Sequence, residues 1–403
     1  MIERRSLEQL IEELAGFGAT SSAGVDRPSL SRTDLEARRF LIDLARDHEV
    51  DVKRDAIANL FLRVPGRDEE LAPVVTGSHI DSQPTGGKLD GAYGICAGLE
   101  IVRSLSAGDP PLRSVEVAIW TNEEGSRFTP GAMGSAAFVN PDLLTEFLGV
   151  RDINGTTFEE ALSDTNYEFR DVPLIESPRP FHAFVELHIE QGPVLERDGV
   201  AIGAVVGTQG CRWYKMSALG RAAHAGTTPP SARSDPLRSL HQVMTTIYGW
   251  SVDEDLRVTV GSVGASPGST NTIPESAEAT LDLRHPRPDV LDELEIRLSR
   301  VASSVSPMVQ ITREFNLDPA RFSDGLVECV ERSSDALGLT CRRMLSGAFH
   351  DAVHLNSHCP TTMIFVPSHK GISHHPDEST HPEALFAGAQ VLESVVTQLA
   401  ETN

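Results

Sequence analysis

Apolar residues fall at helical spacing near the start of the chain, where Leu7, Leu10, Ile11 and Leu14 follow a Ser6-x-x-Gln9 pair of the capping-box type. A second helix is predicted from Thr33-x-x-Glu36 through Leu41 and Leu44. The period then shortens. Val52 to Asp55, Leu60 to Val64 and the Pro73-Val-Val-Thr-Gly run read as strands, residues 92–105 as a helix, and Val115 to Thr121 and Phe181 to Ile189 as further strands. Strands alternating with helices predict an α/β domain, layered αβα, around a mostly parallel sheet.

Near residue 210 the rhythm changes. Trp213 to Leu219, Arg257 to Val263, Ala277 to Arg284 and Val309 to Phe315 read as strands, with helices over Pro236 to Tyr248 and Asp289 to Ser303. This βαββαβ order predicts a ferredoxin-like unit. After Leu317-Asp-Pro the first rhythm returns and ends in a helix over Pro382 to Ala400. The expected organisation is an insertion: residues 1–210 and 323–403 form one domain, interrupted by a smaller one at 211–322.

Composition changes this picture in two ways. At 403 residues the chain exceeds what one core usually serves, which agrees with two domains. Its formal charge of −23 argues against nucleic-acid or anionic-membrane partners, and means that an anionic ligand must be caught by a local cation. The five cysteines are odd in number and show no CxxC pairing, which favours a reducing compartment over a disulfide framework. No run approaches the length of a membrane span and the first residues lack a long apolar leader core, so the chain reads as cytoplasmic.

Ligand-type side chains concentrate in five short segments at or near strand ends. They are Gly77-Ser-His79-Ile-Asp81 with Asp90-Gly91, Asn122-Glu123-Glu124-Gly125, Glu186-Leu-His188-Ile-Glu190-Gln191, Ser346-Gly-Ala-Phe-His350-Asp351, and Gly371-Ile-Ser-His374-His375-Pro-Asp377. The C-terminal edge of an open α/β sheet is where such folds bind ligands. Asp81 is placed to accept the second N–H of His79 and fix its tautomer. Alternation puts Glu186, His188 and Glu190 on one strand face, a costly burial unless a cation sits there. The adjacent Glu123 and Glu124 diverge, so that one can hold a metal while the other stays free as a base. A lone His at a strand end is usually a satisfied core or surface residue, but the clustering points to a shared metal site. Mixed imidazole and carboxylate donors suit Zn, Mn or Co.

The segments GSHIDSQPTGGKLDGAYGICAGLE, TNEEGSRF, ELHIEQGPVLE, GRAAHAGTTP, NTIPESAEATLDLRHP, SGAFHDA and GISHHPDEST resemble the aminoacylase/carboxypeptidase superfamily of binuclear metallohydrolases. More narrowly they resemble its hydantoinase/carbamoylase branch: N-carbamoyl-L-amino acid hydrolases, β-ureidopropionases and allantoate amidohydrolases. The resemblance implies two divalent ions per subunit, with Asp90 bridging, His79 and His188 on one ion, and Glu124 and His374 on the other. Glu123 would be the general base. His224, Asn271 and Arg284 of the inserted domain, with Gln191 and His350, match positions that contact substrate, and His224 also matches a catalytic position. On their own, His224 reads as a loop histidine bonding backbone and Arg284 as a strand-surface arginine. The implied activity is hydrolysis of the ureido bond of an N-carbamoyl-L-amino acid or β-ureido acid. Alternatives are allantoate hydrolysis and, in another class, a binding protein without turnover. The resemblance further implies a homodimer joined through the inserted lid domain, with His224 serving the other subunit's site.

Three positions depart from the family pattern. His375 stands where Ser usually follows the metal histidine, and register favours His374. Phe349 replaces a common Gly beside the pocket. His354 and His358 lack counterparts and read as structural or surface residues.

Overall fold

Burial follows the predicted periods closely. In the computed structural model, which describes residues 2–402, fourteen strands follow in chain order among the described residues. They are β1 (Asp51–Arg54), β2 (Leu60–Val64), β3 (Val74–His79), β4 (Val115–Trp120), β5 (Ala183–Ile189), β6 (Ile202–Thr208), β7 (Gly210–Leu219), β8 (Ala223–His224), β9 (Arg257–Ser266), β10 (Thr272–Ile273), β11 (Ser276–His285), β12 (Val309–Leu317), β13 (Cys341–Ser346) and β14 (Thr361–Val366). They belong to two compact units, one running to Gly207 and resuming at Arg321, the other spanning Thr208–Ala320.

The first unit is built on an eight-stranded sheet of order β1-β2-β4-β3-β5-β14-β6-β13. Its centre, β4-β3-β5-β14, is parallel. All four strands are buried along their whole length, as their near-continuous Val, Ile, Ala and Phe content requires of a sheet covered on both faces. The helices Ala92–Ser106 and Pro382–Ala400 pack on this centre and share one core with it, through residues such as Ile95, Leu99, Val391 and Val395. Because the central strands run the same way, they deliver His79, the turn after Trp120, His188 and the loop after Val366 to one edge.

Two predicted helix starts shift. The first helix spans Arg4–Ala15 with Glu3 at its N-cap, and no side chain caps it. The Ser6–Gln9 box therefore does not form: Ser6 already lies inside the first turn, and Gln9 donates to Glu13. The second helix, Arg32–Asp47, is capped by Ser31, which accepts the Asp34 N–H, with Thr33 inside.

The second unit carries β12-β7-β11-β9, antiparallel throughout, with β8 and β10 as a separate two-stranded piece. The helices Pro236–Tyr248 and Pro288–Ser304 bury Leu240, Val243, Leu294 and Leu298 against alternate residues of β7 and β11, including Met216, Ala218, Leu281 and Leu283. Strand order and crossovers are those of the expected βαββαβ unit. No described helix is long and apolar enough to cross a membrane.

Candidate active site

The last residue of β3, His79, lies beside Asp90, and each departs from its ordinary protonation. Gly91 follows Asp90 with φ +63°, and a Cβ there would lie 2.4 Å from His79 Nε2, so only glycine lets the loop pass the ring. His79 Nδ1 is 2.9 Å from the Asp81 carbonyl, and His188 Nδ1 is 2.9 Å from the Ile189 carbonyl. A carbonyl can only accept, so both rings carry a proton on Nδ1 and turn Nε2 toward Asp90. This differs from the expected role of Asp81. The chain turns after His79 so that the peptide carbonyl meets the ring, and the Asp81 carboxylate instead accepts the N–H groups of Glu123 and Glu124 at 3.2 Å each.

Asp90 is the centre of the arrangement. Its Oδ1 is 3.5 Å from His79 Nε2 and 3.1 Å from His188 Nε2, while Oδ2 is 3.2 Å from His374 Nε2. His374 Nε2 is in turn 3.5 Å from Glu124 Oε2. Two donor groups thus share one carboxylate: His79, Asp90 and His188, and Asp90, Glu124 and His374. Donors on a tetrahedral ion with bonds of about 2.0–2.1 Å sit about 3.3 Å apart. The spacing and the mixed imidazole and carboxylate chemistry of both groups therefore fit divalent cations, and His188 Nε2 also accepts the Gly91 N–H at 3.1 Å.

The same groups shift one another's protonation. Burial opposes ionisation of Asp90, yet the imidazoles of His188, His374 and His79 hold its carboxyl well below the usual range. His374, beside Asp90 and Glu124, is raised to about 9 against the opposing effect of burial. Burial, with Asp90 nearby, pushes Glu124 up to about 7. Glu123 rises well above its ordinary value, first by burial and then by Asp351, Glu124 and Asp90, against the pull of His79.

Glu123 and Glu124 follow Asn122, which adopts φ 59° and anchors the turn by donating from Nδ2 to the Phe128 and Pro130 carbonyls. That twist parts the two carboxylates. Glu124 faces His374, whereas Glu123 belongs to neither donor group and lies 3.5 Å from His79 Nε2. Gln83, which the sequence reading passed over, donates to the Glu124 carboxylate from its backbone N–H at 3.2 Å and from Nε2 at 2.8 Å. Its place in the loop between His79 and Asp90 was the available signal.

Other expected residues divide. Gln191 reaches the centre: Nε2 donates to Asp90 Oδ2 at 2.8 Å, and its buried Oε1 has no hydrogen-bond partner among the described residues. His350 is buried near His188 and Glu186, meets Ser346 Oγ at 3.0 Å, and is held well below its ordinary value by burial and by His188. Glu186 accepts from Ser78 Oγ and the Ala352 N–H, while Glu190, just beyond the end of β5, accepts the Val194 and Leu195 N–H groups. Backbone and hydroxyl donors thus satisfy two carboxylates for which the sequence suggested a cation. His375 turns to the Asp377 N–H and is more than half exposed, so His374 alone of the pair reaches Asp90. Phe349 packs edge-on against His354, which burial pushes down to about 4, and His358 bonds the Arg179 carbonyl.

In the second unit, β8 pairs with β10 so that His224 lies opposite Thr272, next to Asn271. His224 Nδ1 accepts the Gly226 and Thr227 N–H groups, which leaves Nε2 as the donor atom of an exposed ring. Asn271 Oδ1 accepts from Ser269 Oγ. Arg284 lies on β11, with Nε and Nη2 forked onto Asp282 at 2.9–3.2 Å.

Comparison with known proteins adds an independent line. A family model described as "Peptidase family M20/M25/M40" matches residues 75–398. The N-carbamoyl-L-amino acid amidohydrolase of Geobacillus stearothermophilus is 36% identical, with 100% of each chain covered. The allantoate amidohydrolase of Bacillus subtilis is 30% identical over 98% of each. A solved amidase of the hydantoinase/carbamoylase family from Burkholderia multivorans is 38% identical with a TM-score of 0.90, covering 100% of this chain and 98% of its own.

Proposed function

The chain belongs to peptidase family M20/M25/M40, and from that premise we propose that it is a metal-dependent amidohydrolase acting on the ureido C–N bond of N-carbamoyl-L-amino acids or β-ureido acids. The products are the amino acid, ammonia and carbon dioxide, with one water consumed. One observation carries this reading: a single buried carboxylate, Asp90, offers one oxygen to His79 and His188 and the other to His374, which Glu124 joins, while the neighbouring Glu123 stays outside both groups.

His79 and His188 with Asp90 would hold one divalent ion, and Glu124 and His374 with Asp90 the other, with Zn, Mn or Co all compatible with the donors. Such ions supply positive charge that polarises a carbonyl and lowers the pKa of water. Glu123 accepts the proton of the attacking water and passes it to the leaving nitrogen. His224 donates from Nε2 to the oxyanion that develops, and its Nδ1 is already committed to backbone N–H groups in the sense this requires. Arg284, which Asp282 orients through Nε and Nη2, offers a fixed positive charge to the substrate carboxylate, which a chain of net charge −23 would otherwise repel. Gln191 Oε1, lacking a hydrogen-bond partner among the described residues, can accept from a substrate N–H, and Asn271 and His350 complete the substrate contacts. The working form is a homodimer joined through the second unit, in which His224 serves the other subunit's site. Cytoplasmic residence accords with five cysteines, none of them in a disulfide.

Ammonia release by chelated and metal-reloaded protein, across N-carbamoyl-L-amino acids, N-carbamoyl-β-alanine and allantoate, tests this reading. A carbamoyl substrate should be fastest. Fastest turnover of allantoate would move the assignment to the activity named for the Bacillus subtilis relative. Binding of metal without turnover of any substrate would leave a binding protein on the same fold.

A further inference from the structure

We infer that Glu378 is a positioning residue of the paired cation site, holding the Asp90 loop and the His374 loop in one fixed register; the inference rests on the reading of that site given above. Glu378 is only 4% exposed. Its Oε1 accepts the N–H groups of two consecutive residues, Leu89 at 3.0 Å and Asp90 at 3.1 Å. Its Oε2 accepts the hydroxyl of Ser373 at 2.8 Å. One carboxylate therefore ties together two segments separated by 288 positions in the chain, one bearing Asp90 and the other bearing His374 next to Ser373.

The protons around it can be followed. Ser373 has one hydroxyl proton and two acceptors within reach, Glu378 Oε2 at 2.8 Å and Asp90 Oδ2 at 3.3 Å. The shorter contact takes it, and Gln191 Nε2 supplies donors to both Asp90 Oδ2 and Ser373 Oγ. Glu378 thus draws the serine proton away from Asp90 Oδ2, the oxygen that lies 3.2 Å from His374 Nε2. At the same time, fixing the backbone N–H of Asp90 fixes the direction from which its side chain leaves the chain. Without the carboxylate, two backbone donors would be buried without a partner, which the loop can relieve only by moving.

A second observation is steric. The Gly-rich stretch before Asp90 passes so close to Glu378 that a Cβ at Gly87 would lie 2.1 Å from Oε1 and 2.4 Å from the Glu378 Cβ. The three atoms nearest such a Cβ all belong to Glu378, so the carboxylate's place and the glycine at 87 go together.

Groups that orient metal ligands typically contribute about 10- to 100-fold to metal affinity. The test uses full-length wild type and the Glu378→Ala, Glu378→Gln, Ser373→Ala and Gly87→Ala variants, stripped by chelator and titrated with Co²⁺ alone by calorimetry and visible absorption. Glu378→Ala should bind Co²⁺ about 10- to 100-fold more weakly and alter the cobalt spectrum. Glu378→Gln, which keeps an oxygen for the Leu89 and Asp90 N–H groups, should recover most of the affinity. Gly87→Ala should weaken binding by displacing Glu378, whose carboxylate and Cβ both lie within 2.4 Å of the new methyl. Wild-type affinity and spectrum in Glu378→Ala, with the unfolding temperature of the metal-free protein unchanged, would overturn the assignment. So would a Glu378→Gln protein that binds no better than Glu378→Ala. If Glu378→Ala does not fold, Gly87→Ala and Ser373→Ala carry the test, and unchanged affinity in both overturns it. Failure of the wild type itself to bind would overturn the reading of the site as well, which separates the two failures.

Discussion

The polar centre of the first unit and the polar residues of the second meet opposite conditions. His79, Asp90 and His188 are buried, and the two rings have their tautomers fixed by backbone carbonyls. His224 and Asn271 are exposed, and their partners are turn N–H groups and a serine hydroxyl of their own loops. Arg284 lies between these extremes, a third exposed and already paired with Asp282. The first region is organised by its own fold: two strands and the loop before the helix Ala92–Ser106 hold His79, His188 and Asp90 where burial would be costly without a cation. The second region has correct local chemistry but nothing of its own that encloses it. On the function proposed above, the first region assembles the cation centre and the second engages substrate, so mutations in the two regions should fail differently.

The sharpest way to break the comparison is at Glu123. Glu123→Gln should lower kcat by about 100- to 10,000-fold while metal analysis still finds two ions per chain. Glu124→Gln should instead lower metal occupancy, because its oxygen faces His374. A metal-poor Glu123→Gln protein, or one with normal turnover, would reverse the roles of the pair.

In the second unit the expected failure leaves metal untouched. His224→Ala should lower kcat by about 100- to 1,000-fold, the usual cost of losing one oxyanion donor, with metal content unchanged. Mixing inactive His79→Ala and His224→Ala subunits under exchange should restore part of the activity, since one site in each hybrid dimer then has every wild-type residue. Verified exchange without recovery would show that His224 acts within its own subunit.

The smallest effect is expected at Arg284. Its replacement by Ala should reduce kcat/KM for carboxylate substrates by about 10- to 150-fold, with Lys rescuing only in part, and should hardly affect analogues bearing a neutral amide. Asp282 holds Arg284 from the same strand, so Asp282→Asn should weaken the same substrates without changing metal content. An equal loss on charged and neutral substrates would assign Arg284 to the structure of the second unit.

Much of the fold could be read from the sequence because burial on a sheet or helix imposes a period. The helix Pro236–Tyr248 and strand Leu60–Val64 begin and end where their patterns do. The segments bearing His79, Asp90, Glu124, His188 and His374 stood out because ligand-type residues punctuate apolar runs at or near strand ends, whereas the resemblance to a known family, not spacing, singled out these five as metal ligands. What escaped was the destination of individual hydrogen bonds. Asp81 gave up the His79 ring to its own backbone carbonyl, a choice set by the turn after β3. Glu190 found two helix N–H groups just past the end of β5. Glu378, four residues after His374, has three partners that come together only through the fold, so its role could not be read from the sequence. The short helix Phe158–Glu168 was also passed over, although its Thr157–Glu160 capping box was present in the sequence.

The position of β14 has a consequence for biosynthesis. It sits between β5 and β6, well inside the sheet, yet begins only at Thr361. During synthesis β5 therefore waits with one side unpaired, and β6 has neither of its neighbours until β13 and β14 emerge. Meanwhile all of Thr208–Ala320 is made, and it is contiguous. On the ribosome the second unit can close while the first still exposes apolar strand edges, the condition in which nascent chains aggregate or recruit chaperones. His374 lies beyond β14, so the donor set is complete only when the last helix is being made. A chain truncated before Thr361 would carry a finished second unit beside an open sheet, and cellular quality control would meet it as a misfolding substrate rather than as a partial enzyme.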